Sequence, residues 1–256
     1  MKPLLSLHHA TIEIGEKRIC SGFDLTLHAG ESVAILGRNG VGKSTLLRAM
    51  MGLHPLQAGE VVLGDQPLTQ WRSRARAKQI GMLFQQQAFE LPTTVAETVM
   101  LGRHPHIATW GWEGEADRQR VNQALEAVDL TSLAHRSIAA LSGGERRRVE
   151  IAMLLAQAPR LMLLDEPVNH LDLPHQVQVL QHMRSLTQAG QGVVMVMHDI
   201  NLTLRMADRL LLMIEPGEVV DSAPEALDAA LLTRVLGQPM EAINHQGETF
   251  WQPGFR

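Results

Sequence analysis

One short segment near the N-terminus restricts the fold of this chain more than any other feature. Residues 37–44 read Gly-Arg-Asn-Gly-Val-Gly-Lys-Ser, which matches the phosphate-loop pattern G-x-x-x-x-G-K-[ST]. The apolar run Val33–Leu36 precedes this segment, and a helical pattern begins at Lys43. A strand, a glycine-rich loop and a helix in this order predict an α/β domain that binds a nucleoside triphosphate.

The residues of this loop have the chemistry that a triphosphate requires. Glycines let backbone N–H groups turn toward a phosphate, and the N-terminus of the next helix adds partial positive charge. Lys43 can reach the β- and γ-phosphates, and the Ser44 hydroxyl can bind Mg²⁺. We therefore expect a nucleoside triphosphate and Mg²⁺ as cofactors. The expected nucleotide-binding residues of the loop are Gly37, Arg38, Asn39, Gly40, Val41, Gly42, Lys43, Ser44 and Thr45.

A second apolar run ends in two carboxylates. Leu161–Leu164 is followed directly by Asp165 and Glu166. The carboxyl end of a buried parallel strand is where α/β proteins bind their ligands. We predict that Asp165 holds Mg²⁺ and that Glu166 is the general base for the attacking water.

Apolar runs and helical patterns alternate along most of the chain, which predicts an α/β fold with a mainly parallel sheet. The predicted strands are Val33–Leu36, Met82–Phe84, Leu161–Leu164, Val193–Met197 and Leu210–Ile214. The predicted helices are Lys43–Met51, Ala116–Val128, Glu145–Gln157, Pro174–Gln188 and Ile200–Ala207.

The middle of the chain interrupts this alternation with mainly helical patterns. We predict one domain over residues 1–240, with a core of residues 1–85 and 160–240 and an inserted helical subdomain of residues 86–159. Alternating patches at Thr11–Ile14 and Asp24–Leu27 predict a small N-terminal antiparallel sheet. Residues 241–256 are predicted to be a C-terminal tail.

The segment Leu141-Ser142-Gly143-Gly144-Glu145 points to a particular family of phosphate-loop NTPases. Alone it would be an ordinary glycine-rich helix start. Between the phosphate loop and Asp165, however, it resembles the Leu-Ser-Gly-Gly-Gln signature of ABC ATPases, with Glu145 in place of the glutamine. Gln85 is similar to the family's Q-loop glutamine, 169–172 resembles its D-loop, and His198 resembles its switch histidine.

The resemblance implies a head-to-tail homodimer with ATP between the two copies. Ser142, Gly143 and Gly144 would then bind the γ-phosphate of the partner's ATP, with Asp172 of the D-loop nearby. It also implies that Gln85 senses Mg²⁺ and that His198 contacts the γ-phosphate. Closure on ATP would move attached membrane subunits, as a ligand that binds one conformation better shifts the population toward it.

Residues 94–106, after Gln85, resemble a pattern of importers for iron–siderophores, vitamin B12 and haem. The resemblance implies two permease subunits docked near Gln85–Gly114, and indirectly a periplasmic or extracellular substrate-binding protein. We lean to vitamin B12 or an iron–siderophore over haem, a preference without physical warrant in these residues. Trp110 and Trp112 have two interpretations, packing of the helical subdomain or part of the docking groove.

Composition narrows the remaining classes. The formal net charge is −4, so no nucleic-acid partner is expected. No apolar run reaches the roughly 18 residues of a membrane span, and the N-terminus lacks a signal-peptide pattern. We expect a peripheral location on the cytoplasmic face of the inner membrane. The main alternative is a soluble ABC ATPase that acts in assembly, for instance of iron–sulfur clusters.

The residue expected beside the adenine departs from the family pattern. ABC ATPases usually stack an aromatic residue on adenine, whereas the matching position here is Ile14 and the chain has no tyrosine. We predict that ATP and GTP bind with affinities within about tenfold of each other, because isoleucine packs on either purine without stacking. A nucleotide competition assay measures this ratio, and a much larger preference for ATP would contradict the prediction.

Overall fold

The structure, a computed structural model, describes residues 3–85, 93–108 and 110–254. The strands are β1 Pro3–Ile14, β2 Lys17–His28, β3 Ser32–Gly37, β4 Ala58–Leu63, β5 Gln66–Pro67, β6 Ile80–Leu83, β7 Leu161–Asp165, β8 Gly192–Val196, β9 Arg209–Met213, β10 Val219–Ser222, β11 Met240–His245 and β12 Glu248–Pro253. The helices are α1 Lys43–Met50, α2 Ser73–Gln79, α3 Val95–Leu101, α4 Glu115–Ala127, α5 Gly143–Gln157, α6 Leu173–Gln188, α7 Ile200–Met206 and α8 Ala229–Leu236.

A mainly parallel sheet forms the centre, as the alternating pattern predicts. Within the described ranges its strand order is β10-β9-β3-β8-β7-β6, and β10 alone of these strands runs antiparallel to its neighbour. Every residue of β3, β7 and β8 is buried, because the sheet is covered on both faces. The α/β fold class is thereby confirmed.

Alternate residues of β3 divide the core between the two faces of this sheet. Val33 and Ile35 pack in a cluster with α1 and the N-terminal strands. Ala34 and Leu36 pack in a second cluster, which also holds the buried faces of α4, α5 and α6. Successive side chains of a strand point to opposite faces, so one strand anchors both layers.

The predicted N-terminal antiparallel sheet is present. Its order is β2-β1-β4-β5, and the two alternating patches lie in β1 and β2. Ile12, Leu25 and Leu27 are buried against the α1 side of the core. The turn between β1 and β2 follows Ile14, which stays half exposed.

Helices α3, α4 and α5 occupy the region predicted to be an inserted helical subdomain. Their buried faces meet through residues such as Val99, Leu125 and Val149. Thr94 starts α3 with a capping box, in which its side chain and that of Glu97 bond each other's backbone N–H. The boundaries at 86 and 160 stay a prediction, since residues 86–92 lie outside the described residues.

Predicted element ends differ from the observed ones by one or two residues, and one difference matters. Strand β6 ends at Leu83, so Gln85 lies two residues beyond the strand rather than at its end. The Phe84 carbonyl leaves the ladder because it accepts a hydrogen bond from Arg147 of α5, at 2.6 Å.

The predicted C-terminal tail contains a hairpin, β11–β12, in its described part. Trp251 is buried, and its backbone N–H and C=O both bond the Asn201 side chain on α7. Residues 255–256 lie outside the described residues. Over the ranges that the structure covers, none of the helices is both long and apolar enough to cross a membrane.

Candidate nucleotide-binding site

The phosphate loop joins β3 to α1 in the geometry that its glycines permit. Gly40 and Gly42 have positive φ angles of 75° and 121°. A Cβ atom at Gly42 would lie 2.6 Å from Ile19, so any side chain there would displace β2 from the loop. The loop therefore ends with the free N–H groups of the first turn of α1 facing the open side, where an anion binds favourably.

Lys43 is buried and folds back over its own loop. Its ammonium donates to the Gly37 carbonyl at 2.7 Å and to the Arg38 carbonyl at 3.1 Å. Burial lowers the pKa of Lys43, while the carboxylates of Glu166 and Asp165 act in the opposite direction. A phosphate that reached this ammonium would restore opposite charge to a partly desolvated cation.

Asp165 and Ser44 come together from opposite ends of the chain. The Ser44 hydroxyl donates to Asp165 Oδ1 at 3.1 Å, while Oδ2 is buried and has no hydrogen-bond partner among the described residues. Burial raises the pKa of Asp165, and the bond from Ser44 offsets part of that increase. An unpaired buried carboxylate oxygen beside a hydroxyl fits Mg²⁺, which prefers oxygen ligands.

No cluster of three or more His, Cys, Asp or Glu side chains suited to a metal occurs in the described ranges. Gln85, the third residue predicted to contact the metal, lies in the same cleft.

Glu166 is the most constrained side chain of the site. Its Oε1 bonds His198 Nε2 at 2.6 Å, and its Oε2 accepts from Gln85 Nε2 at 3.1 Å and from the Asn169 amide. Its backbone is left-handed, with φ of 51°. A non-glycine residue occupies this region only at a cost of roughly 1–2 kcal/mol. The surroundings thus over-determine the position of this carboxylate, as expected at a functional site.

These residues line one open cleft of about 690 Å³, a size suited to a nucleotide. The predicted residues that line it are Ile14, Asn39, Gly40, Gly42, Lys43, Ser44, Thr45, Gln85, Glu166 and His198. Ile14 is 48% exposed there, so its predicted contact with the base remains open to test. Gly37, Arg38 and Val41 lie behind the cleft, and Arg38 packs against Gly237 after α8.

Three of the residues that line the cleft are not among the site residues predicted from the sequence. Lys17 and Ile19 come from β2, and Lys17 bonds the Gly40 carbonyl. No local pattern could have found them, because they reach the loop only through the antiparallel sheet. Asn169 belongs to the segment similar to the D-loop. It lies three residues after Glu166 and bonds it, so its closeness in sequence could have indicated that it belongs to the site.

Ser142, Gly144 and Asp172 line a different cleft, which shares no residue with the first. Ser142 caps α5, and its backbone N–H and hydroxyl both bond Glu145. A Cβ at Gly144 would lie 3.0 Å from the His170 carbonyl, so glycine allows the start of α5 to approach the loop before α6. Asp172 caps α6, where its side chain accepts a hydrogen bond from the His175 N–H. The residues that resemble the family's signature and D-loop therefore lie apart from the phosphate loop of the same chain.

Comparison with known proteins finds a family model and relatives that are all described as ABC transporters or ATP-binding proteins of importers. The family model described as ABC transporter matches residues 20–169. Hemin import ATP-binding protein HmuV of Myxococcus xanthus (strain DK1622) is 42% identical over 254 residues, covering 95% of this chain and 94% of the relative. Petrobactin import ATP-binding protein FpuC of Bacillus anthracis is 34% identical over 252 residues, covering 98% and 93%.

A solved structure also matches along the full chain. It is described as a metal-chelate type ABC transporter in an inward-facing conformation, and the match has a TM-score of 0.85 at 28% identity. The match covers 100% of this chain and 99% of the matched chain.

Asp165→Asn separates metal binding from folding. The folded-state pKa of Asp165 is raised, so its carboxylate opposes folding above its ordinary pKa, and that penalty disappears as the pH falls below it. At pH 7 we expect the free variant to unfold at or above the wild-type temperature, whereas stabilisation by ATP with Mg²⁺ should be lost. Thermal unfolding with and without Mg²⁺ measures both, with exposed Asp65→Asn as control. Full Mg²⁺-dependent stabilisation of Asp165→Asn would contradict the assignment.

Proposed function

We propose that this chain, which belongs to the ABC transporter family and is a transport-coupled ATPase, powers import of a metal chelate. The observation that supports the proposal best is the convergence of Lys43, Ser44 and Glu166 on one cleft, with the buried Asp165 bonded to Ser44. A binding protein without hydrolysis would not require a carboxylate held by three other side chains beside the phosphate loop.

Each residue has a defined part in hydrolysis. Lys43 exchanges the Gly37 and Arg38 carbonyls for phosphate oxygens, and the first turn of α1 donates its free N–H groups. Ser44 and Asp165 would hold Mg²⁺, which supplies charge neutralisation of the phosphates when bound. Glu166 accepts the proton of the attacking water. Gln85, Asn169 and His198 keep its carboxylate oriented toward that water.

We assign the second cleft to ATP held by another copy. Ser142 and Gly144 line a surface separate from the phosphate loop of the same chain, and Ser142 would exchange its bonds to Glu145 for a partner's γ-phosphate. A head-to-tail pair would place two ATP molecules between two copies. ATP then favours the closed pair over the open one.

The cargo assignment depends on the relatives, since no residue of this chain needs to touch the chelate. The named relatives import hemin and petrobactin, and the more similar of the two is the hemin protein. The preference for vitamin B12 or an iron–siderophore over haem has no contact in the structure to support it. We propose haem as the first chelate to test, with the others as alternative outcomes.

The permease subunits are proposed to dock on α3 and the loop that follows it. Trp110 is 96% exposed and Trp112 is 90% exposed, so their packing inside the helical subdomain is excluded. Leu101 at the end of α3 is exposed as well. Exposed apolar residues so close in sequence are typical of an interaction site. Residues 86–92 and 109 of the proposed docking segment lie outside the described residues.

Uptake in cells that lack this subunit tests the cargo and the base together. Labelled haem, vitamin B12 and ferric siderophores are supplied to cells rescued with the wild type or with Glu166→Gln. We expect loss of one chelate that only the wild type restores, because glutamine keeps the shape of Glu166 but accepts no proton. Purified Glu166→Gln should bind ATP and hydrolyse it on the order of 100-fold more slowly. Unchanged hydrolysis would remove Glu166 from its role.

Ser142→Arg tests the second cleft. We expect normal ATP binding by single chains but no ATP-dependent dimer, because the large side chain fills the surface offered to the partner's γ-phosphate. Light scattering of the Glu166→Gln background with ATP and Mg²⁺ measures the dimer. Ser185→Arg on exposed α6 is the matched control. A normal ATP-dependent dimer of Ser142→Arg would contradict the head-to-tail arrangement.

Trp110→Ser/Trp112→Ser tests docking. We expect ATP hydrolysis by the purified variant to match the wild type, while sedimentation with membranes that contain the permease falls, because the exposed rings are lost. Leu53→Ser, at another exposed apolar residue, is the control. Wild-type protein that never sediments with such membranes would favour the alternative, a soluble ABC ATPase that acts in assembly.

A further inference from the structure

Arg147 lies on α5 between the two loops that supply the site, although the hydrolytic steps above do not use it. Its side chain is 4% exposed and makes four hydrogen bonds. Three of them go to backbone carbonyls, those of Phe84 at 2.6 Å, Asp165 at 2.7 Å and Glu166 at 2.8 Å. The fourth goes to the Glu150 carboxylate at 2.6 Å, one turn further along α5.

Two of these carbonyls belong to the residues predicted to hold the metal and to act as base. The Nη2 atom of Arg147 bonds the carbonyls of Asp165 and Glu166 together. Glu166 is the residue with the left-handed backbone, φ 51°, at the end of β7. A guanidinium fork fixes two acceptors at once, so it holds the main chain on both sides of this strained residue.

The third carbonyl fixes the position of Gln85. Nη1 of Arg147 bonds the Phe84 carbonyl, immediately before Gln85, and the Gln85 amide in turn donates to Glu166 Oε2. Arg147 thus fastens the main chain of the two residues whose side chains meet at 3.1 Å. The pairing of β6 with β7 ends at Leu83 and Leu164, and the bonds of Arg147 hold the two chain segments together beyond that point.

Glu150 supplies the opposite charge for the buried guanidinium of Arg147. It is itself buried, and burial raises the pKa of its carboxyl group while Arg147 acts against that increase. Arg147 Nε is buried and has no hydrogen-bond partner in the part of the chain that the structure describes. Burying the Arg147–Glu150 pair therefore has a desolvation penalty that its hydrogen bonds do not fully offset. Such a pair is not favoured by the free energy of folding alone.

We infer that Arg147 is a positioning residue, which transmits the orientation of α5 to the carboxylate of Glu166. The helix that carries Arg147 begins at Ser142 and Gly143, the surface proposed to meet the partner's ATP. A movement of that helix start would reach the main chain of Glu166 through the bonds of Arg147. The inference depends on the proposed role of Glu166 as base and names what holds that base in place.

Arg147→Gln tests the inference in the purified full-length protein. We expect kcat for ATP to fall by about 10- to 100-fold, because a small displacement of a base suffices for such a loss. The KM for ATP and the affinity for a fluorescent ATP analogue should stay within about threefold of wild type, as Arg147 does not line the nucleotide cleft. Arg209→Gln is the control, since Arg209 also bonds a backbone carbonyl and two carboxylates, but far from the cleft.

Arg147→Gln/Glu150→Gln distinguishes positioning from general stability. Removing both charges should restore the unfolding temperature toward wild type, since no uncompensated carboxylate is left buried, yet kcat should stay low. Recovery of kcat together with stability would overturn the inference, and so would a single variant no slower than Arg209→Gln. Glu166→Gln is measured beside them. If it hydrolyses ATP normally, the proposed base fails; if it is inactive while the double variant is active, only the positioning role fails.

Discussion

The contact between Ser44 and Asp165 joins the two halves of the site, and the rest of the arrangement depends on it. The two residues are 121 positions apart, yet the hydroxyl lies 3.1 Å from the carboxylate. They meet because β8 pairs with both β3 and β7 in parallel, so that the phosphate loop and Asp165 emerge at the same edge of the sheet. Glu166 follows Asp165 at that edge, and His198 follows β8. The parallel register thus delivers each reacting group to one cleft.

The site holds charge at a cost that its ligands would offset. Lys43 and Asp165 are both buried. Burial lowers the pKa of Lys43 and raises the pKa of Asp165, so it favours the neutral form of each. Within the described ranges Asp165 Oδ2 has no hydrogen-bond partner, and Lys43 bonds two carbonyls of its own loop. Phosphate and Mg²⁺ would satisfy both groups. Desolvated groups of this kind bind their ligands with little reorganisation, at the expense of stability in the free protein.

The two clefts lie on different parts of the chain. The phosphate loop, Asp165 and Glu166 lie on the core, whereas Ser142 and Gly144 lie at the start of α5 in the helical region. Arg147 connects these surfaces inside one chain, by bonds from α5 to the carbonyls beside Gln85 and Glu166. A second copy that contacted the start of α5 would therefore act close to the side chain that bonds the main chain of Glu166.

The sequence by itself determined the local pieces. The phosphate loop, the strand that ends in Asp165, the capping of α6 by Asp172 and the segment Leu141–Glu145 are each recognisable because a few adjacent residues carry the signal. Only the tertiary structure decided which pieces meet. It brought Lys17 and Ile19 to the cleft, exposed Trp110 and Trp112, and placed Arg147 between two loops. Such contacts depend on sheet order and helix packing between distant segments, which no local period or motif records.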